Sequence, residues 1–188
     1  PHVPARGMAW ALSCTAGLAL LFPAHWDLDK LSEGSNVYFF PQQWGKVIDH
    51  AESAEGGLTT VTQSADGLLT LLTNGKFQGN NSEQGEMIAQ KSIALIPLLH
   101  TAQRDTALVI GYGTGMTPRV IHENEFRSLD IAELSEDMVR LADRHFENIN
   151  HAVTSQPGVN TYYTDGRNFL LTQSKEYDLI SIEISSIW

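Results

Sequence analysis

The junction between Asp105 and Thr117 constrains the fold of this chain more than any other feature, because an apolar strand there runs directly into a glycine-rich turn. Ala107-Leu108-Val109-Ile110 is continuously apolar, the pattern of a parallel strand buried on both faces. Gly111-Tyr112-Gly113-Thr114-Gly115 follows at once and leads into a helix. Glycines suit such a turn because it is tight and lets a ligand approach the backbone closely. The alternation then repeats. Ser128 to Glu133 predicts the next strand. Ser135 is placed to cap a helix whose first turn carries Glu136 and Asp137, complementing its dipole, with Met138, Leu141, Ala142 and Phe146 on the buried face. Asn160 to Thr164 predicts a third strand, Gly166 to Leu171 a short helix and Tyr177 to Ile182 a fourth strand. Strands and helices in this order imply an α/β fold with a doubly wound parallel sheet.

Upstream the rhythm differs. Val37 to Phe40, Lys46 to His50, Leu58 to Gln63, Leu68 to Thr73 and Lys76-Phe77 read as short strands. Asp66-Gly67 and Asn74-Gly75 supply hairpin turns. Glu83 to His100 turns helical, with Met87, Ala94, Leu95 and Leu98 on one face and Pro97 near the end. Three parts follow: an apolar N-terminal segment with linker over 1–33, a small antiparallel sheet over 34–82, and a Rossmann-like cofactor-binding domain over 83–188.

Composition narrows the partners. A formal net charge of -10 argues against nucleic acid, whose phosphates need a positive surface. It fits a cationic ligand such as an amine or a sulfonium, although most acidic proteins are simply soluble. Cys14 is the single cysteine, so neither an intrachain disulfide nor a multi-thiolate metal site can form. The seven histidines are scattered without ligand-like spacing, and no metal is expected. Asn80-Asn81-Ser82 is formally a glycosylation acceptor, a triplet that often arises by chance.

Met8 to Phe22 is mostly apolar and stops at Pro23, shorter than the roughly 20 residues that span a bilayer. The end of a membrane helix, a signal-peptide core and a buried helix compete as readings. Neither a basic segment nor a small-residue cleavage site accompanies the run, and the membrane helix is favoured slightly over the buried one. At the other end Ile187-Trp188 follows directly on an apolar strand pattern. An open α/β sheet would continue there, so a truncated cofactor domain is expected.

Several polar residues fall where such a sheet binds ligands. Glu133 ends the second strand about 20 residues beyond the glycine turn, where an acidic side chain accepts hydrogen bonds from ribose hydroxyls. Asp165, just past the third strand, is placed to accept from an adenine amino group, to cap the following helix, or to do both. Glu183 ends the fourth strand. It is either a carboxylate that holds or deprotonates an amine or an ordinary exposed strand-end residue.

Taken in order, these segments resemble the spermidine synthase (polyamine aminopropyltransferase) family from about Asn36 onward. Leu72 to Gln78 resembles the family's substrate-side hairpin, with Gln78 at the place of a cofactor-contacting glutamine. Ala107 to Thr117 resembles its glycine-rich cofactor loop, and Ala132 to Ser135 its ribose-binding segment. Thr164 to Phe169 resembles its adenine-binding segment, including Asp165 and Gly166. Tyr177 to Glu183 is similar to the strand that delivers the catalytic carboxylate. The apolar start followed by Pro23 to Asp27 resembles the membrane-fused branch of the family.

The resemblance implies a Rossmann-like, S-adenosylmethionine-dependent methyltransferase-type fold preceded by a small antiparallel sheet. It implies a transferase that moves an aminopropyl group from decarboxylated S-adenosylmethionine to an amine acceptor in polyamine biosynthesis, without a metal. Glu183 would be the catalytic base. Gln78, Gly111, Gly113, Thr114, Gly115, Glu133, Asp165 and Gly166 would hold the cofactor. A homodimer is compatible with it, as is either a membrane-associated or a cytoplasmic location. The departures are specific: Thr114 stands where the family has an ammonium-binding aspartate, Glu183 where it has the catalytic aspartate, and Ser186 where it has a second acid. The tyrosine-bearing stretch between Gln78 and Glu86 is also shortened. Two alternatives therefore stay open, methyl transfer from intact S-adenosylmethionine and non-catalytic binding of an adenosyl metabolite beside a membrane domain.

Overall fold

The computed structural model describes residues 26–183. The apolar run Met8 to Phe22 and the position Ser186 lie outside the described residues. Two short helices come first, α1 (Leu28–Ser32) and α2 (Ser35–Tyr38). They precede an antiparallel sheet of β1 (Lys46–Ser53), β2 (Gly57–Gln63), β3 (Leu69–Thr73) and β4 (Lys76–Asn80), with its strands in sequence order. Asn74 and Gly75 both have positive φ, 51° and 76°, as the two-residue turn between β3 and β4 requires. The Asn74 side chain also accepts a 2.9 Å hydrogen bond from the Leu58 N–H on β2. That turn is therefore tied across the sheet as well as along it.

One expected strand is a helix. Val37 to Phe40, one β-branched residue followed by three aromatics, has the pattern of a strand, yet residues through Tyr38 form α2. Gly34 starts it at φ 71°, and a Cβ there would lie 2.4 Å from the Gly75 carbonyl. The Tyr38 ring meets Trp44 edge-on and its hydroxyl accepts from the Phe77 N–H at 3.0 Å. Close tertiary contact overrides the local strand preference.

Helix α3 (Glu86–Leu98) buries Gln90, Ala94 and Leu98. Met87 packs against the same core, whereas Leu95, expected on this face, is 46% exposed. The buried stripe is thus the i, i+4, i+8 row through Gln90, and Leu95 lies off it. Pro97 sits in the last turn, where the helix is already ending.

The second sheet contains β5 (Thr106–Ile110), β6 (Ser128–Glu133), β7 (Val159–Tyr163) and β8 (Leu179–Ile182). All four are parallel in the order β7-β6-β5-β8. The connecting helices are α4 (Met116–Glu123), α5 (Glu136–His145), α6 (Glu147–Asn150) and α7 (Gly166–Thr172). Alternate residues of β5 enter two cores. Ala107 and Val109 join a large cluster shared with α3 to α6, Val61 and Leu71, while Leu108 and Ile110 pack with Ala132 and Phe169. Within β6 the buried Asp130 is neutralised by Lys175 at 2.8 Å and also accepts from Tyr177 and Asn160. A buried carboxylate persists only with such partners.

Two features join the sheets. Val61 and Leu71 contribute to the large core directly. At the end of α5, Arg144 and His145 each reach the Asp49 carboxylate on β1 at 2.8 Å, which holds that acid down at a pKa of about 2. The other end of α5 is capped as expected, the Ser135 hydroxyl accepting from the Met138 N–H at 3.1 Å. Met138, Leu141, Ala142 and Phe146 are all buried. Ser135→Ala should lower stability by about 1 kcal/mol, read as a shift in the urea midpoint. Among the described residues no helix is long and apolar enough to cross a membrane.

Candidate active site

The strand order reverses between β5 and β8, and in an open parallel sheet the crevice at the carboxyl ends of such strands is where ligands bind. Backbone hydrogen bonds carry the ladder one residue past each strand. The Glu183 N–H donates to the Ile110 carbonyl at 2.8 Å, Gly111 to Ala132 at 2.9 Å, and Thr164 to Glu133 at 2.9 Å. Gly111, Glu133, Thr164 and Glu183 therefore stand along one edge, with Asp165 one residue further.

Glu133 is buried and braces the glycine loop. Its Oε2 accepts from the Tyr112 N–H at 2.8 Å and its Oε1 from the Ser135 N–H at 2.9 Å. Burial raises its pKa, against the pull of the backbone N–H groups of Ser135, Tyr112 and Leu134. Each carboxylate oxygen retains a second acceptor site, so this arrangement can still take ribose hydroxyls.

Glu183 lies against the loop. A Cβ at Gly111 would come within 2.8 Å of the Glu183 carbonyl, and one at Gly113 within 3.7 Å of its carboxyl group. Glu183 is half-buried as a residue, but its Oε2 is shut off from solvent without a hydrogen-bond partner. Burial pushes its pKa up to about 8; the Thr117 hydroxyl beside it opposes this, and the nearby charges of Glu86 and Glu133 add to it. A carboxyl group tuned to that range can act as a base near neutral pH.

The remaining expected residues divide by what their side chains touch. Gln78 is half-buried on β4, and its carbonyl lies 3.3 Å from where a Gly113 Cβ would be, so β4 overlies the loop. Asp165 is exposed and caps α7, accepting from the Asn168 N–H at 2.8 Å. Gly166 is required by packing, since a Cβ there would be 2.3 Å from Ile110. Thr114 is fully buried and its hydroxyl donates to Gln90 Oε1 at 2.7 Å. Its side chain therefore serves the protein beneath the loop, and only its backbone is left to a ligand.

Gln90 and Glu86 also belong to the site, although the sequence pattern does not single them out. The Gln90 amide bridges Thr114 to Glu86 Oε1, at 3.2 Å, while its backbone carbonyl accepts from Thr117. Burial raises the pKa of Glu86, with this hydrogen bond opposing. The available signal was a polar residue in the otherwise apolar row 90, 94, 98, since an unpaired Gln is rarely buried. A separate cavity of about 530 Å³ is lined by Trp26, Leu28, Leu31 and Asn74. None of the strand-end residues lines it. Among the described residues no group of three or more His, Cys, Asp or Glu could hold a metal ion.

No protein-family model matches the chain. Curated sequences do: a polyamine aminopropyltransferase of Alkaliphilus oremlandii is 30% identical over 103 residues, 54% of this chain and 36% of that protein. One of Methanocaldococcus jannaschii is 28% identical over 114 residues, 60% of this chain and 38% of the relative. This chain is similar to the polyamine aminopropyltransferases. It spans little more than a third of the length of these relatives. The fold agrees with that of solved spermidine synthases. Spermidine synthase from Thermotoga maritima superposes with a TM-score of 0.65 at 17% identity, over 76% of this chain and 48% of that one. A spermidine synthase in complex with the transition-state analogue AdoDATO gives the same TM-score over 75% and 47%. The pairing of an antiparallel sheet with a methyltransferase-like parallel sheet is thus the spermidine synthase architecture.

Proposed function

We propose that this protein binds the adenosyl part of decarboxylated S-adenosylmethionine and transfers its aminopropyl group to an amine acceptor. The carrying observation is Glu183, whose Oε2 is buried and unpartnered against the glycine loop at the switch point of the sheet. Similarity to curated aminopropyltransferases supports the same reading. The sulfonium is an activated leaving group. The amine lone pair attacks the carbon next to sulfur, the C–S bond breaks, and its electrons remain on methylthioadenosine. Glu183 takes the proton that the new ammonium releases. The protein supplies position and a base.

The finer assignments follow from this reading. Glu133 receives the ribose hydroxyls, Asp165 the adenine amino group, and the backbone of Gly111 to Gly115 lies against the nucleoside, with Gln78 closing from β4. Methyl transfer from intact S-adenosylmethionine is the second reading, favoured by the absence of a carboxylate at Thr114. Calorimetric titration of the full chain with the two cofactors separates them, together with detection of methylthioadenosine or S-adenosylhomocysteine when primary amines are added. Tighter binding of the decarboxylated form and release of methylthioadenosine are expected; S-adenosylhomocysteine alone would replace aminopropyl with methyl transfer. Glu133→Ala should weaken methylthioadenosine binding by about 1.5–3 kcal/mol, the range for a hydrogen bond to a charged group. Unchanged affinity would remove Glu133 from the site.

A further inference from the structure

Tyr112 takes no part in the chemistry above, yet its side chain ties the glycine loop to α5, beside the Thr114–Gln90 and Asn150–Thr114 hydrogen bonds. Its side chain is fully buried and belongs to the large core beneath the loop. Its hydroxyl donates to Asp143 Oδ1 on α5, and Asp143 Oδ2 accepts from the Thr154 hydroxyl at 2.6 Å. Burial, then the Asp143 charge and hydrogen bond, keep the phenol protonated by raising its pKa. It is a permanent donor. The backbone N–H of the same residue donates to Glu133 Oε2 at 2.8 Å.

The surroundings are built for that ring. At Gly115 a Cβ would come within 2.7 Å of the Tyr112 ring and hydroxyl, so the glycine makes room for the phenol. At the end of α6 Asn150 donates to the Thr114 carbonyl at 3.2 Å and to the Ala142 carbonyl at 3.1 Å. The segment carries glycines at 111, 113 and 115, all at positive φ. Such a segment has more conformations to lose on ordering than any other composition. A ligand that must order it binds more weakly by that amount, and a loop ordered in advance avoids the cost. Here the ordering comes from side chains on the core side, away from the crevice.

We infer that Tyr112 is a positioning residue of the nucleoside site: clamped by Asp143, it fixes the loop so that its N–H holds the Glu133 carboxylate ready for the ligand. This rests on the adenosyl reading of the site. The clamp itself does not, because it is made entirely of this chain's own side chains. Loss of the phenol hydroxyl leaves the ring volume in place but frees the loop backbone. A residue that serves only as core filling would change global stability and leave the Glu133 contact alone.

The test uses the full chain and the variants Tyr112→Phe, Asp143→Ala and Asp143→Asn. Amide hydrogen exchange is followed in the ligand-free protein, with the β5 amides as reference for global opening. Exchange at the Tyr112 amide should quicken at least roughly tenfold over that reference in Tyr112→Phe and Asp143→Ala. Asp143→Asn, which keeps an acceptor, should stay near the original rate. Calorimetry with methylthioadenosine should show a dissociation constant raised roughly tenfold in Tyr112→Phe. In a Glu133→Ala background the same change should have no further effect, because the two act through one contact. Unchanged exchange at the Tyr112 amide overturns the clamp. A full, additive loss of affinity in the Glu133→Ala background overturns the coupling to Glu133. If the original protein does not bind methylthioadenosine, the adenosyl reading fails, and the exchange measurements still decide the clamp.

Discussion

Replacing Glu183 by Gln should lower aminopropyl transfer by about 10²–10⁴-fold, the contribution a positioned general base makes. Gln keeps the size and the hydrogen-bonding carbonyl but cannot accept the proton. The pH dependence carries a second signature. With a pKa near 8, Glu183 is mostly protonated in the ligand-free protein at pH 7. Its basic form then grows as pH rises, so kcat/KM should climb to about pH 8 before levelling. Glu183→Asp should keep a rising limb, whereas Glu183→Gln should lose it along with the activity. Full activity in the Gln variant would remove Glu183 from the chemistry.

Stability should report the same group independently. The ordinary value is 4.5 and the folded value about 8. Below 4.5 the carboxyl group is protonated in both states and the folded protein keeps its full stability. Between the two values the unfolded chain has released a proton that the folded chain still binds. Unfolding is then favoured as pH rises. The stability associated with Glu183 is lost progressively from about pH 4.5 to about pH 8 and is constant above. Urea midpoints at pH 5 and pH 9 should therefore differ less in Glu183→Gln than in the original protein. An unchanged difference would mean that another group carries the effect.

Gly115→Ala should cost about 2–5 kcal/mol of stability, a large part of what an ordinary domain possesses. Two effects add. The residue has φ 83°, where a side chain is strained, and its Cβ would lie 2.6 Å from Asn150 Cβ and 2.7 Å from the Tyr112 ring. Both neighbours are fully buried, so neither can yield without disturbing the core. Gly67→Ala is the control. Its φ is 88° but a Cβ there meets nothing within 4 Å, leaving backbone strain of about 1 kcal/mol. The difference between the two urea midpoints isolates the contact energy. Equal losses would show that Gly115 matters only for its backbone angle.

Much of this fold is legible residue by residue. The β6 strand, the Ser135 cap and the buried face of α5 depend on neighbours a few positions apart, and each formed where the pattern put it. Val37 to Tyr38 and Leu95 did not follow the pattern. For Tyr38 the deciding contacts lie outside the local pattern, with Phe77 and Trp44; for α3 the buried face is set by Gln90, which meets Thr114 and Thr117 on the glycine loop and α4.

The candidate site divides along the same line. The amino-acid order by itself determined that a glycine turn follows an apolar strand, that carboxylates end the second and fourth parallel strands, and that Asp165 begins a helix. Those features follow from local periodicity, turn chemistry and capping, which act over a few residues. Only the tertiary structure decided that Thr114 faces Gln90, that Tyr112 reaches Asp143 across 31 positions, and that Glu183 holds a proton near neutral pH. Desolvation and the field of neighbouring charges set a pKa. They arise where Glu86, Glu133 and Glu183, from three separate elements, are brought together. No stretch of sequence contains that sum, because it exists only once the sheet has formed.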